Sequence, residues 1–135
     1  MRIRLIDFGY EKAPRRAHAH DAGADVYATE DVTLAPGQTF AMPLGFGLEL
    51  PDGLCGFIFP RSGLSKEGIV CELPPIDSGY RGEIHAIISN ISGSTYEIKT
   101  GDRVGQLVIT PVVFATFSTE VIKQRGDGAF ASTGK

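Results

Sequence analysis

The chain has 135 residues, which is enough for one domain with a hydrophobic core. Hydrophobic residues make up 42% of it and charged residues 21%, a composition typical of a folded chain rather than a disordered one. The formal net charge of -3 leaves no basic excess to neutralise a nucleic-acid backbone, and no apolar run is long enough to span a bilayer. We therefore expect neither a nucleic-acid polymer nor a membrane as a partner.

Short apolar and β-branched runs, separated by turn residues, dominate the chain. They predict strands at residues 3–6, 25–28, 32–34, 39–42, 46–50, 55–59, 83–89, 96–98, 103–110, 113–117 and 120–122. Among the segments between them, only residues 62–68 (SGLSKEG) suit a helical turn or two, which Gly68 would end. The pattern predicts an all-β fold, a distorted jelly-roll-like barrel or sandwich with at most one short helix.

The composition changes at Arg125, after which Phe130 is the only large apolar residue. We therefore expect a β domain at residues 1–124 and a Gly-rich C-terminal arm at residues 125–135, which cannot form its own core and is mobile without a ligand. Two cysteines, Cys55 and Cys71, are too few for a disulfide scaffold. Buried thiols in a reducing compartment fit them better, which predicts a cytoplasmic protein.

Polar residues lie at the boundaries of two predicted strands, at the start of one and just after the end of the other. Asp25, in residues 22–26 (AGADV), either orients water or an arginine near a phosphate or caps a turn. In residues 60–63 (PRSG), Arg61 and Ser62 follow a strand, and Gly63 permits an unusual backbone angle. This segment could hold an anion on its backbone N–H groups and hydroxyl, but taken alone a plain turn with a solvated arginine is the better explanation.

The predicted strand at residues 103–110 contains a glutamine among apolar residues. The amide of Gln106 offers two donors that could meet phosphate oxygens, or it could face solvent on an edge strand. Strict alternation places Arg103 and Leu107 on one face of this strand, with Val104 and Gln106 on the other.

Residues 76–83 (IDSGYRGE) are the most informative part of the chain. The Asp77 carboxylate lies three residues before the Tyr80 ring, and glycines allow a tight turn. Residues 125–134 (RGDGAFASTG) add an arginine, a second ring and hydroxyls. Together these segments supply a base, two aromatic rings and phosphate-sized donors, a combination that suits a nucleoside triphosphate.

With these motifs, the chain resembles the trimeric type of dUTP diphosphatase (dUTPase). Five short motifs occur in the order typical of that family, at residues 22–26, 60–65, 75–83, 101–108 and 125–134, so the resemblance covers nearly the whole chain. It implies a homotrimer in which each site combines motifs from several subunits and is closed by a neighbour's C-terminal arm. It also implies hydrolysis of dUTP to dUMP and pyrophosphate, which limits dUTP and supplies dUMP for dTMP synthesis.

The resemblance implies a role for each matching residue. Asp77 would activate the water that attacks the α-phosphorus, and Mg²⁺ would be held by substrate phosphates and water, with Asp25 at most in its outer shell. Tyr80 would pack beneath the deoxyribose. The phosphate-contacting residues would be Arg61, Ser62, Gly63 and Gln106. In the arm, Phe130 would stack on uracil while Arg125, Ser132 and Thr133 close over the phosphates.

Two departures from the family pattern concern the base. Cys71 occupies a position where relatives commonly carry an asparagine, and Pro74 replaces a usual glycine and cannot donate an N–H. The contacts with uracil then fall either to another residue or to backbone groups alone. Two other functions stay open: a dCTP deaminase on the same fold, which would release ammonia, and a jelly-roll module that binds a nucleotide without hydrolysing it.

Overall fold

The computed structural model describes residues 1–124, which form ten β-strands and one short α-helix. In chain order these are β1 (Arg4–Asp7), β2 (Ala24–Tyr27), β3 (Val32–Leu34), β4 (Thr39–Pro43), β5 (Phe46–Glu49), β6 (Leu54–Phe59), α1 (Ser62–Lys66), β7 (Ile69–Cys71), β8 (His85–Asn90), β9 (Tyr96–Ile98) and β10 (Arg103–Pro111). The prediction of an all-β fold with at most one short helix is confirmed.

All strand pairs are antiparallel, and most join segments that are distant in the sequence. Two three-stranded sheets have the orders β2-β10-β6 and β4-β8-β7, and two further pairs join β1 to β5 and β3 to β9. Such non-consecutive pairing is typical of jelly-roll architectures rather than of simple meanders.

The core lies where the inner faces of these sheets meet. Its largest fully buried side chains include Phe46, Met42, Leu34 and Ile88, contributed by four different strands. Asn90 is also fully buried, and its amide nitrogen donates to the carbonyls of Leu34 and Ser94 at 3.0 and 2.8 Å. Because both donors are used, this amide fixes the end of β3 against the end of β8 without an unpaired polar group.

The predicted helical turn is confirmed, with α1 ending as expected. Gly68 has φ of +81°, and its N–H donates to the carbonyl of Ser65 at 3.0 Å. An added Cβ at Gly68 would lie 2.9 Å from the Cβ of Ser92. Both the backbone angle and the close approach require glycine there.

The predicted strands at residues 113–117 and 120–122 are wrong. Within residues 113–124 the structure has no strand, and the large apolar side chains there are exposed: Val113 by 86%, Phe117 by 88% and Ile122 by 92%. These residues favour a strand by propensity, but a strand forms only where a neighbouring strand pairs with its backbone N–H and C=O groups. No other segment of the described chain pairs with this one in that way.

Conversely, the sequence pattern did not predict β7, which is three residues long and pairs with β8. Among residues 1–124, no helix has the length and apolar character needed to cross a membrane.

Candidate active site

Asp77 lies at the start of a tight turn next to β6. Its neighbour Ile76 exchanges two backbone hydrogen bonds with Gly56 of β6, at 3.0 and 2.7 Å. The carbonyl of Asp77 then accepts the N–H of Tyr80 at 3.0 Å, which closes the turn. The anchored backbone leaves the Asp77 side chain exposed, where it can contact a water molecule and a ligand.

The Tyr80 ring is held against the same turn. Its hydroxyl donates to the carbonyl of Glu83 at 2.7 Å. A Cβ built on Gly82 would lie 2.5 Å from that hydroxyl oxygen, so any side chain at this position would displace the ring. The guanidinium of Arg81 donates to the carbonyl of Ser78, which closes the loop from the other side.

Asp77 and Tyr80 line one cavity of about 250 Å³. Its other walls come from the segment after β7 and from β8, and they include Glu72, Pro74 and His85. A carboxylate, an aromatic ring and apolar walls in one concave site are typical of sites that bind small molecules.

Cys71 lies beside this segment with its thiol turned toward β10. Its sulfur donates to the carbonyl of Val104 at 3.7 Å. Burial, with a smaller contribution from the charge of Glu72, raises the pKa of the Cys71 thiol to about 11. The group is therefore a neutral thiol at physiological pH, and it lacks the two donors that an asparagine amide would offer a base.

A second group of predicted residues meets at the C-terminal end of β6. Gln106 of β10 pairs with Asp25 on one side and with Phe59 on the other, and its amide nitrogen donates to the carbonyl of Pro60 at 3.0 Å. The Nε of Arg61 lies 3.8 Å from a carboxylate oxygen of Asp25. The structure thus brings together Asp25, Arg61 and Gln106, which lie far apart in the sequence.

Ser62 and Gly63 follow directly as the first two residues of α1, and both are exposed. Nothing lies within 4 Å of a Cβ built on Gly63. On the inner side, a Cβ at Gly23 would lie 2.5 Å from the amide oxygen of Gln106, so Gln106 is fixed between Gly23 and Pro60. The exposed edge of this group is open to an anion.

The chain does not bring the two groups together. Ile76 pairs with Gly56 whereas Gln106 pairs with Phe59, so the contacts are three strand residues apart, or about 10 Å along β6. Asp25, Arg61, Ser62 and Gln106 are absent from the lining of the Asp77 cavity. One chain therefore presents two partial sites, one centred on Asp77 and Tyr80 and the other on Arg61 and Gln106.

Arg103 joins the second group, which the sequence did not predict. Its Nη1 lies 3.7 Å from the Asp25 carboxylate, beside the Arg61 contact. A register shift between Arg103 and Gly105 breaks the alternation of β10, so Val104 and Leu107 are both buried, and the predicted opposition of these two side chains is wrong. Gly105 could have predicted this register shift from the sequence, since glycine within a strand often marks a bulge.

Four predicted site residues, Arg125, Phe130, Ser132 and Thr133, lie outside residues 1–124 and so outside the part of the chain that the structure describes.

Mg²⁺ prefers oxygen ligands and keeps several of its own waters. In residues 1–124, no three His, Cys, Asp or Glu side chains group together as ligands for a metal ion. The Asp25 carboxylate lies beside two arginines, which already offset its charge. A hard cation would therefore have to be held mainly by water and by the oxygens of a bound ligand.

Comparison with known proteins places the chain in a family. The dUTPase family model matches residues 10–134. A deoxyuridine 5'-triphosphate nucleotidohydrolase of Leifsonia xyli is 42% identical over 131 residues, covering 92% of this chain and 86% of the relative. The enzyme of the same name from Thermobifida fusca is 45% identical over 129 residues, covering 90% of this chain and 72% of the relative.

Solved structures agree. A dUTPase from phage phi11 of S. aureus that coordinates a structural Mg(II) ion has a TM-score of 0.81 at 26% identity, covering 89% of this chain and 97% of the phage chain. The dUTPase of Staphylococcus bacteriophage 80alpha has the same fold, with a TM-score of 0.83 at 24% identity and coverage of 92% and 99%. With a family model that matches nearly its full length and two relatives above 40% identity, the chain belongs to the dUTPase family.

Proposed function

We propose that the chain hydrolyses dUTP to dUMP and pyrophosphate. The observation that carries this proposal is the cavity of about 250 Å³ in which the exposed Asp77 carboxylate lies with the Tyr80 ring. Membership of the dUTPase family supplies the substrate.

Asp77 acts as the general base. Its carboxylate accepts a proton from the water that attacks the α-phosphorus, while the backbone pairing of Ile76 with Gly56 fixes the carboxylate's position. Tyr80 packs beneath the deoxyribose. Since the hydroxyl of Tyr80 is bonded to the Glu83 carbonyl, the ring cannot easily withdraw to admit a 2′-hydroxyl, and ribonucleotides are rejected.

The triphosphate is held by Arg61, Ser62, Gly63 and Gln106. Asp25 orients the Arg61 guanidinium, which suits phosphate because it presents donors in a fixed fork. Mg²⁺, when bound, would offset the charge of the phosphate oxygens, and Asp25 would contact it at most through its water shell.

The active unit is a homotrimer whose sites combine residues of different chains. Two observations support this proposal: Asp77 follows the residue that pairs with Gly56 in the middle of β6 whereas Arg61 comes after the end of that strand, and the large apolar residues of 113–122 are exposed in the single chain. Residues 125–135 act as an arm that closes a neighbour's site, with Phe130 on the uracil and Arg125, Ser132 and Thr133 on the phosphates.

The cellular role follows from the reaction: it limits dUTP and supplies dUMP for dTMP synthesis. We place the enzyme in the cytoplasm, which is consistent with the absence of a disulfide between Cys55, which is buried, and Cys71, which is half-buried.

A substrate panel tests the activity. Purified protein is incubated with Mg²⁺ and dUTP, dCTP, dTTP or UTP, and pyrophosphate and ammonia are both measured. Pyrophosphate release from dUTP, with little from UTP, is expected. Ammonia from dCTP would establish a deaminase instead, and turnover of dUTP equal to buffer would leave only a binding module.

A further inference from the structure

A second cavity, of about 440 Å³, opens beside Asp25. Three cationic side chains line it, Lys12, Arg15 and Arg103, together with Asp25 and the Tyr27 ring. With three positive charges against one negative charge, its lining carries an excess of two positive charges, whereas the whole chain carries -3. Such a local excess on an acidic protein favours a small polyanion.

Two of the three cationic side chains, Lys12 and Arg103, have a neighbour that contacts them, and the third, Arg15, is placed through its backbone. The Lys12 ammonium lies 4.8 Å from the centre of the Tyr27 ring, a cation–π contact. The Arg103 guanidinium lies 3.7 Å from the Asp25 carboxylate. The backbone of Arg15 exchanges two hydrogen bonds with that of Asp25, at 3.0 and 2.7 Å. A ligand would therefore meet two charges, those of Lys12 and Arg103, whose positions are already restricted, which lowers the entropic cost of binding.

Asp25 connects this cavity to the proposed phosphate site. One carboxylate oxygen lies 3.8 Å from Arg61 and the other lies 3.7 Å from Arg103, so the two arginines flank the same carboxylate. A chain of phosphates that contacts Arg61 can thus continue past Asp25 toward Arg103 and Arg15. Guanidinium groups bind phosphate oxygens in pairs, and a linked diphosphate can use several cations at once.

We propose that Lys12, Arg15 and Arg103 form a subsite for the pyrophosphoryl part of the substrate, which becomes the leaving pyrophosphate. This proposal rests on the proposed function and adds to it three residues that hold the departing product. Their role is binding: the subsite takes diphosphate and makes no contact with the nucleoside.

Binding of inorganic pyrophosphate and of dUMP, each measured calorimetrically with Mg²⁺ present, tests the subsite. Arg103→Gln, Arg15→Gln and Lys12→Gln are compared with Arg4→Gln, which removes the same charge from an exposed ion pair with Glu49. Each cavity variant should raise the Kd for pyrophosphate by about fivefold and leave the Kd for dUMP unchanged. Arg4→Gln should change neither.

Pyrophosphate affinity equal to that of Arg4→Gln in all three variants would overturn the subsite, as would equal losses for pyrophosphate and dUMP. Lys12→Gln protects the test against misfolding, because the Lys12 side chain is exposed and glutamine keeps much of its length. A wild-type protein that binds pyrophosphate through these residues but does not turn over dUTP would refute the proposed function and leave the subsite standing.

Discussion

Asp77 combines an exposed carboxylate with a backbone that is fixed on both sides. This arrangement suits a general base, which must reach a water molecule at a constant position. We predict that Asp77→Asn lowers the kcat for dUTP by about 10²–10⁴ because the amide cannot accept the proton, while the Kd for a non-hydrolysable dUTP analogue stays nearly constant. Steady-state kinetics and calorimetry measure the two quantities.

Asp52→Asn is the matched control. Its side chain accepts a hydrogen bond from the Ser78 hydroxyl at 3.2 Å, and an asparagine oxygen can accept the same bond. The control should keep nearly normal turnover. An Asp77→Asn enzyme with a normal rate would show that another group activates the water.

Cys71 links burial to pH dependence. The ordinary thiol pKa is 9.0, and in the folded chain it rises to about 11. Between these values the unfolded chain has lost the proton that the folded chain keeps, so the free energy of unfolding decreases as the pH rises. We predict that the stability advantage of wild type over Cys71→Ala shrinks from pH 9 to pH 11 and is constant below pH 8. Urea unfolding at fixed protein concentration measures it.

Cys55→Ala provides the comparison. Because it retains Cys71, its free energy of unfolding should decrease between pH 9 and pH 11 as that of wild type does. A wild-type advantage over Cys71→Ala that does not change up to pH 11 would mean that the thiol is not desolvated in solution.

At the scale of elements, the sequence predicted features that depend on local residue pattern better than features that depend on contacts between distant segments. Alternation and turn residues predicted the helical turn and most strands, because both signals are local. The strands predicted at 113–117 and 120–122 failed because strand formation depends on a partner, which the sequence does not specify. The bulge in β10 was missed for a related reason: Gly105 signals irregularity, but the register comes from pairing with β2.

The same limit applies to the candidate site. The residue types of Asp25, Arg61 and Gln106 suggested phosphate contacts, and antiparallel pairing brought them together. Arg103 could not be placed with them, because strict alternation put it on the face opposite Gln106.

A substitution at Gly68 tests whether the end of α1 requires glycine. We predict that Gly68→Ala lowers the free energy of unfolding by about 3 kcal/mol, because the alanine takes up a left-handed conformation and also meets Ser92. Gly53→Ala has a similar φ of +91° with nothing within 4 Å, so it should cost about 1 kcal/mol. Urea denaturation at equal chain concentration measures both. Equal costs would show that the approach to Ser92 is unimportant.

At the scale of the whole molecule, the separation of Asp77 from Arg61 predicts complementation between defective subunits. Asp77→Asn and Arg61→Gln should each be nearly inactive alone. Mixed trimers from refolding at a one-to-one ratio should recover about one quarter of wild-type turnover, since half of the subunits supply Asp77 and half supply Arg61. Turnover is measured after refolding the variants together and separately.

Activity of the mixture that only equals the average of the separate samples would place both residues in the same subunit's site. The control is a variant that carries both changes, refolded with wild type. Because this variant supplies neither Asp77 nor Arg61, any active site in the mixture must take both residues from wild-type chains.

The separation of the two partial sites along β6 also affects how activity depends on the concentration of newly made chains. In the proposed trimer, a freshly translated chain would fold its β domain and still be inactive, since each site would need residues of more than one chain. Hydrolysis would then begin steeply once enough chains have accumulated to associate, and cells expressing the protein at low copy number would be disproportionately deficient in turnover.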